Sequence, residues 1–185
     1  SFFEMPNTNP QTTSSEALEG KFQIASKNSI ANYSFLFGGT NDNLKEIISI
    51  DKSKIPGFKL FLGSSTGNML VDDPEVLREI FSNIDLPIAV HCEDEGTIKE
   101  NLSRFIAQYG DDIPIGKHSE IRSEKACYLS SSKAIELAKE TGARLHVFHL
   151  STAIETELFE NNIPLKDKKI TAEVCVHHLW FSEED

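Results

Sequence analysis

The sequence predicts an α/β protein built on a parallel sheet, a TIM-type (β/α)8 barrel of which about six strand–helix units are present. Three observations carry this prediction. Strand-like apolar runs alternate with helix-like stretches along the whole chain, and the units recur at the spacing of about 30 residues that a barrel uses. The carboxyl ends of the strand-like runs carry Asn7, Lys59, His91, His149 and His177, and ligands gather at that end of a parallel sheet. Alternation and spacing fit an open doubly wound sheet almost as well; the polar strand ends decide for the barrel. A complete barrel takes about 250 residues, so the 185 residues here read as one partial barrel domain over residues 1–185.

The units follow in order. Residues 1–5 are strand-like, Pro6-Asn7-Thr8-Asn9-Pro10 is a turn-rich loop, and an amphipathic helix is predicted over residues 14–27. Residues 33–37 form the second strand, Gly38-Gly39 breaks it, and residues 41–50 read as a helix. The third strand is Gly57-Phe58-Lys59-Leu60-Phe61-Leu62-Gly63; its loop runs into Asp73-Pro74, a capping carboxylate followed by proline at the first helical position. Residues 87–91 are the fourth strand, and the helix over 94–109 opens with acidic residues, as the helix dipole favours. A helix over 123–141 stops at Gly142. Residues 144–150 are the fifth strand, 153–161 a helix and 170–176 the sixth strand.

Composition excludes several classes. Hydrophobic residues make up 39%, enough for a globular core and against disorder. A net charge of −11 argues against nucleic acid and anionic membrane as partners, since both need a basic face. No apolar run approaches the roughly 20 residues of a membrane span. Cys92, Cys127 and Cys175 lie far apart, without a Cys-x-x-Cys pair, which fits a reducing cytoplasm.

Lys59 is the residue that most needs an explanation. Alternation puts Phe58, Leu60 and Leu62 on one face of its strand and Lys59 with Phe61 on the other, so the ammonium points behind the sheet. At a wet edge it would snorkel to water. In a dry place its pKa falls by up to roughly 3 to 5 units, leaving a neutral, nucleophilic amine. Such an amine can capture carbon dioxide as a carbamate, an anion suited to bridge two divalent metal ions. His91 and His149 each end an apolar strand, so a lysine and two imidazoles meet at one mouth, the donor set of a metal site.

Through Met5-Pro6-Asn7-Thr8-Asn9-Pro10, Gly57-Phe58-Lys59-Leu60-Phe61, Val90-His91-Cys92-Glu93-Asp94, Leu145-His146-Val147-Phe148-His149-Leu150-Ser151-Thr152 and Thr171-Ala172-Glu173-Val174-Cys175-Val176-His177-His178-Leu179, the chain resembles the dihydroorotases of the metal-dependent amidohydrolase superfamily. The resemblance implies zinc-dependent, reversible cyclisation of N-carbamoyl-L-aspartate to dihydroorotate in pyrimidine biosynthesis, with two Zn2+ ions as cofactors. It implies that carboxylated Lys59 bridges the metals, that His91 and His149 ligate the second one and that Asn7 contacts substrate. It further implies a small-molecule partner and is compatible with a homo-oligomer. The first metal-ligand pair, a His-x-His, is expected upstream of Ser1, and the general-base aspartate beyond Asp185. The first and last strands of the barrel are therefore expected to be missing, and the piece alone inactive.

The remaining polar residues receive lesser roles. His146 has the opposite parity from His149 and is expected to face the helices. Glu173 and His177 share inward parity and are assigned a supporting or packing role; His178 is read as packing, Cys92 and Cys175 as small buried residues without metal, and Arg122 as a cap and ion-pair element. The loop Ser64-Ser65-Thr66-Gly67-Asn68 could cradle an anion or close over substrate, although it lacks the spacing and lysine of a nucleotide-binding P-loop. Dihydropyrimidinase, allantoinase and a catalytically silent amidohydrolase-like scaffold are the alternative readings.

Overall fold

The computed structural model describes residues 1–63 and 67–182; Ser64, Ser65 and Thr66 of the expected anion-cradling loop lie outside the described residues. Strand β1 (Phe2–Glu4) leads through the Pro6–Pro10 loop to helix α1 (Ser15–Asn28), whose first turn is capped by the Ser14 hydroxyl accepting from the Ala17 amide. Strands β2 (Tyr33–Phe35) and β3 (Phe37–Gly38) precede the short helix α2 (Leu44–Ser49). Strand β4 (Phe58–Phe61) is followed by helix α3 (Pro74–Asn83), where the Asp73 carboxylate accepts from the Glu75 and Val76 amides as its sequence position predicts. Strand β5 (Ile88–His91) feeds α4 (Glu95–Tyr109), a short helix α5 (His118–Ile121) and the long α6 (Glu124–Thr141), which ends at Gly142 in a left-handed conformation, φ 74°. Strand β6 (Leu145–Val147), helix α7 (Ala153–Thr156), strand β7 (Ile170–Ala172) and helix α8 (Val176–Trp180) complete the order.

All strand pairs are parallel. β1 pairs with β2, and β3 to β7 lie side by side in chain order. The expected single strand over 33–37 appears as two segments because it changes partner at Leu36: the Leu36 amide donates to the Glu4 carbonyl (3.0 Å), the Phe37 amide to the Gly57 carbonyl (3.2 Å). One residue separates the segments, so the six expected strands stand in sequence order.

The two faces of the sheet differ in chemistry. Phe58, Leu60, Ile88, Val90, Leu145 and Val147 are buried in a core with Ile80, Phe81, Ala134, Ile135 and Ala138 of the flanking helices. On α6 the buried positions 126, 127, 130, 131, 134, 135 and 138 follow the three-to-four spacing of one helix face, which packs on the sheet. The opposite face carries, in one register row, Lys59 opposite Ala89, Ala89 opposite His146 and His146 opposite Thr171, and in the next row Phe61 opposite His91.

This register corrects the placement of His146. In-register residues of a parallel sheet point to the same side, so His146 faces the inner side with Lys59 rather than the helices. Two further expectations change. The helix expected over 153–161 is only α7, because the Glu155 carboxylate is held by the Ser131 and Thr152 hydroxyls (2.6 and 2.8 Å) and Leu158 and Phe159 turn back onto the core. The sixth strand ends at Ala172; strand-type bonding stops after Glu173, and α8 carries His177, whose inward strand parity therefore does not exist. Among the described residues no helix is long and apolar enough to cross a membrane.

The end of β4 lies hard against the segment after β5: a Cβ at Gly63 would collide with the Glu93 carbonyl oxygen. Backbone on one side and a strand on the other leave no room to relax. Gly63→Ala is expected to lower unfolding stability by about 1–3 kcal/mol, measured by urea denaturation; an unchanged midpoint would contradict this packing.

Candidate metal centre

The Lys59 side chain is 2% exposed, and its Nζ has no hydrogen-bond partner among the described residues. It lies between two phenyl rings, 4.5 Å from the centroid of Phe148 and 4.6 Å from that of Phe61. Burial drives the amine pKa down to about 7, against weak opposing pulls from Cys92 and Glu173. Lys59 is thus the dry, neutral amine of the sequence reading, and not a snorkelling surface charge.

His91 leaves the end of β5 on the same inner face. Its Nε2 is 2.7 Å from the Glu93 carboxylate, and its Nδ1 is 3.1 Å from His149 Nε2. Glu93, 6% exposed, also accepts from Arg122 through Nε (2.8 Å) and Nη2. Burial raises the Glu93 carboxyl pKa, but the hydrogen bonds from His91 and Arg122 outweigh it and hold the value at about 2. An ionised carboxylate is an acceptor only, so His91 Nε2 must carry the proton. In the neutral ring Nδ1 then keeps its lone pair, directed at His149.

His149 reaches this place by a different route. Strand parity alone would turn it away from His146 and Phe148, but β6 ends at Val147 and His149 adopts φ 41°, a left-handed conformation rare outside glycine. The turn brings its ring to 5.0 Å from that of His91, edge to face. Burial, then the repulsion a proton on this ring would meet from the nearby basic groups, His91 foremost, holds the His149 pKa below the ordinary value, so the ring is neutral at neutral pH. The two facing nitrogens stand 3.1 Å apart, close to the roughly 3.3 Å that bond lengths of about 2.0–2.1 Å impose on two tetrahedral zinc ligands. Two imidazoles with converging nitrogens beside an unpartnered buried amine fit a metal centre.

His91, Glu93, Arg122, Phe148 and His149 line a cavity of about 880 Å3. Asn7 is exposed in the loop after β1 and does not line it. His146 bonds Thr171 Oγ1 (2.8 Å), approaches Glu173 (3.4 Å) and packs on Phe148, which in turn covers Lys59. Arg122 is an ion-pair element as expected, although the helix cap falls to Ser123. Sequence reasoning passed over Glu93 and over the two phenylalanines that wall in the amine. The His-x-Glu spacing at the end of β5 was the available signal for Glu93.

Known proteins of the same build bear on this site. No family model matches the chain. A dihydroorotase from Methanosarcina mazei is 29% identical over 98% of the chain, and an allantoinase from Solibacter usitatus 31% identical over all of it. The solved L-hydantoinase (dihydropyrimidinase) from Arthrobacter aurescens superposes with a TM-score of 0.83 at 28% identity, over 93% of the chain. The chain is homologous to these cyclic amidohydrolases over part of their length. It spans 41% of the dihydroorotase and of the allantoinase, and 38% of the hydantoinase. Its fold is the α/β architecture of the TIM-barrel hydantoinases over that part of their length. The chain thus carries Lys59 on β4, His91 at the end of β5 and His149 two residues beyond the end of β6.

The amine offers a test in the chain without metal or bicarbonate. With a pKa near 7 folded and an ordinary value of 10.5, Lys59 binds fewer protons in the folded than in the unfolded chain between those limits. Stability from this group therefore rises with pH across that window and is lowest below its start. Lys59→Met is expected to stabilise the chain at pH 7 by a few kcal/mol, on the order of 5 at most, and to remove the rise towards pH 10. Denaturation midpoints of both proteins across the range check it; parallel pH profiles would place the amine in water.

Proposed function

We propose that the chain supplies one bank of a binuclear zinc centre in a dihydroorotase, an enzyme that interconverts N-carbamoyl-L-aspartate and dihydroorotate. The observation that carries this reading is the buried, unpartnered Lys59 amine beside the converging nitrogens of His91 and His149. The neutral amine can attack carbon dioxide: its nitrogen forms the N–C bond as one C=O π pair moves onto oxygen, one N–H proton passes to solvent, and the product is a carbamate monoanion whose charge is shared by two oxygens. His91 Nδ1 and His149 Nε2 would hold one metal, and the carbamate would extend to both. When bound, the metal ions supply a Lewis acid for the ring carbonyl and lower the pKa of water.

The chain's own residues prepare the site for that chemistry. Glu93 keeps the proton on His91 Nε2 and so frees Nδ1; Arg122 holds Glu93 ionised. Phe61 and Phe148 exclude water from the amine. Asn7 in the loop after β1 is the substrate contact in this reading, since its amide can donate to a carboxylate and accept from a ring N–H. The substrate is a small molecule. All three cysteines are free, which supports a reducing, cytoplasmic setting.

Allantoin hydrolysis is a second reading, favoured by allantoinases such as that of Solibacter usitatus at comparable identity. The Met5-Pro6-Asn7-Thr8-Asn9-Pro10 block favours dihydroorotate. Turnover by the protein carrying the complete barrel separates them: dihydroorotate is expected to be hydrolysed and allantoin left intact, and the reverse result would reassign the substrate.

Two substitutions test the centre itself. Lys59→Ala is expected to abolish binding of two zinc ions and nearly all turnover, read by metal analysis and assay; full zinc content with near-normal turnover would end the bridging role. Glu93→Gln leaves the shape but removes the acceptor-only carboxylate, and zinc affinity is expected to fall by about 10- to 100-fold, measured by competition with a chromophoric chelator.

A further inference from the structure

A second set of metal-ligating side chains converges on the same cavity and has no part in the centre described above. After β7 the chain turns at Cys175 into α8, giving the local pattern Cys175-Val176-His177-His178. Positions three apart on a helix are neighbours, so Cys175 and His178 share one side of this turn. The His177 ring stands 4.3 Å, centroid to centroid, from that of His178. One donor atom from each of the three residues lies within 4.8 Å of the other two. All three side chains line the cavity that holds His91 and His149. The sequence reading had assigned them packing and support; the turn at the end of β7 is what groups them.

We propose that Cys175 Sγ and the imidazoles of His177 and His178 form an additional site for a borderline-soft divalent cation of the zinc type, distinct from the Lys59, His91 and His149 set. A thiolate with two imidazoles selects zinc, cobalt(II) or cadmium over magnesium and calcium, which take oxygen ligands. Tetrahedral coordination with bond lengths of about 2.0–2.3 Å needs donors roughly 3.3–3.6 Å apart, so the group closes by about 1 Å through side-chain rotation. Three protein donors leave the fourth position open for water or an anionic ligand. On binding, the Cys175 thiol gives up its proton to solvent and the thiolate takes the metal.

The other two cysteines do not compete. Burial pushes the Cys92 thiol up to about 12 and the Cys127 thiol up to about 11, and both are enclosed, whereas Cys175 is partly exposed. A thiolate signature that is lost in Cys175→Ser therefore reports Cys175, and the Lys59, His91 and His149 set contains no thiolate at all.

Cobalt(II) titration of the chain, with a phosphine reductant present, tests the site through the thiolate-to-cobalt charge-transfer absorption. The band is expected in the unmutated chain and in His91→Asn, and absent in Cys175→Ser. Loss of a mere outer partner costs a metal site about 10- to 100-fold in affinity, so His178→Gln, which removes a direct ligand, is expected to weaken binding by at least about tenfold. Absence of the band in the unmutated chain, or its survival in Cys175→Ser, overturns the proposal. Alkylation of Cys175 by iodoacetamide needs no substitution: zinc is expected to slow it about tenfold or more, and an unchanged rate also overturns the site. Cobalt that binds without a thiolate band and is lost in His91→Asn would leave the binuclear reading standing while this one fails.

Discussion

A lysine amine sealed between two phenyl rings, with no hydrogen-bond partner among the described residues, is the constraint around which the rest of the site is arranged. A ring contact returns about 2 kcal/mol or somewhat more for a desolvated cation, whereas burying an ion costs several. Lys59 cannot remain both charged and unpaired there. It sheds its proton, reacts to become an anion, or gains an anionic partner. A carbamate ligated to metal is the second of these, its charge balanced by the bound cation, whereas a structural ammonium with no partner meets none of them.

The two histidines meet through unrelated devices. His91 is oriented by electrostatics: a carboxylate kept ionised by its hydrogen bonds takes the Nε2 proton, and Arg122 keeps the carboxylate in place. His149 is oriented by backbone geometry, a left-handed residue two positions after the end of β6. Such a conformation costs on the order of 1–3 kcal/mol and persists where surrounding structure enforces it, commonly at functional sites. Orientation and strain are thus concentrated on the two rings whose nitrogens have to converge.

The same cavity collects residues that no strand-end pattern would group. Cys175, His177 and His178 reach it because the chain turns out of β7 into a helix, while His146 stands behind its Phe148 wall, in the register row of Lys59. A mouth lined by imidazoles, three thiols and the Glu93–Arg122 ion pair is chemically richer than the three-residue centre alone.

Much of this was legible in the sequence. Alternating elements foretold a parallel sheet; Asp73-Pro74 and Gly142 marked helix ends; and the two-residue period of β4 put Lys59 with Phe61 on the inner face, because side-chain parity within a short strand is a local property. His91 followed by the same rule. Parity failed for His146 and His177, where its assumptions break: counting back from His149 crosses the left-handed residue, and counting forward to His177 crosses the end of β7. The sequence by itself thus determined which strands carry the amine and the imidazoles. Only the tertiary structure decided which nitrogens face one another, that Glu93 and Arg122 fix one of them, and that the amine is dry, since contacts between strands and burial depend on register and packing that no single segment encodes.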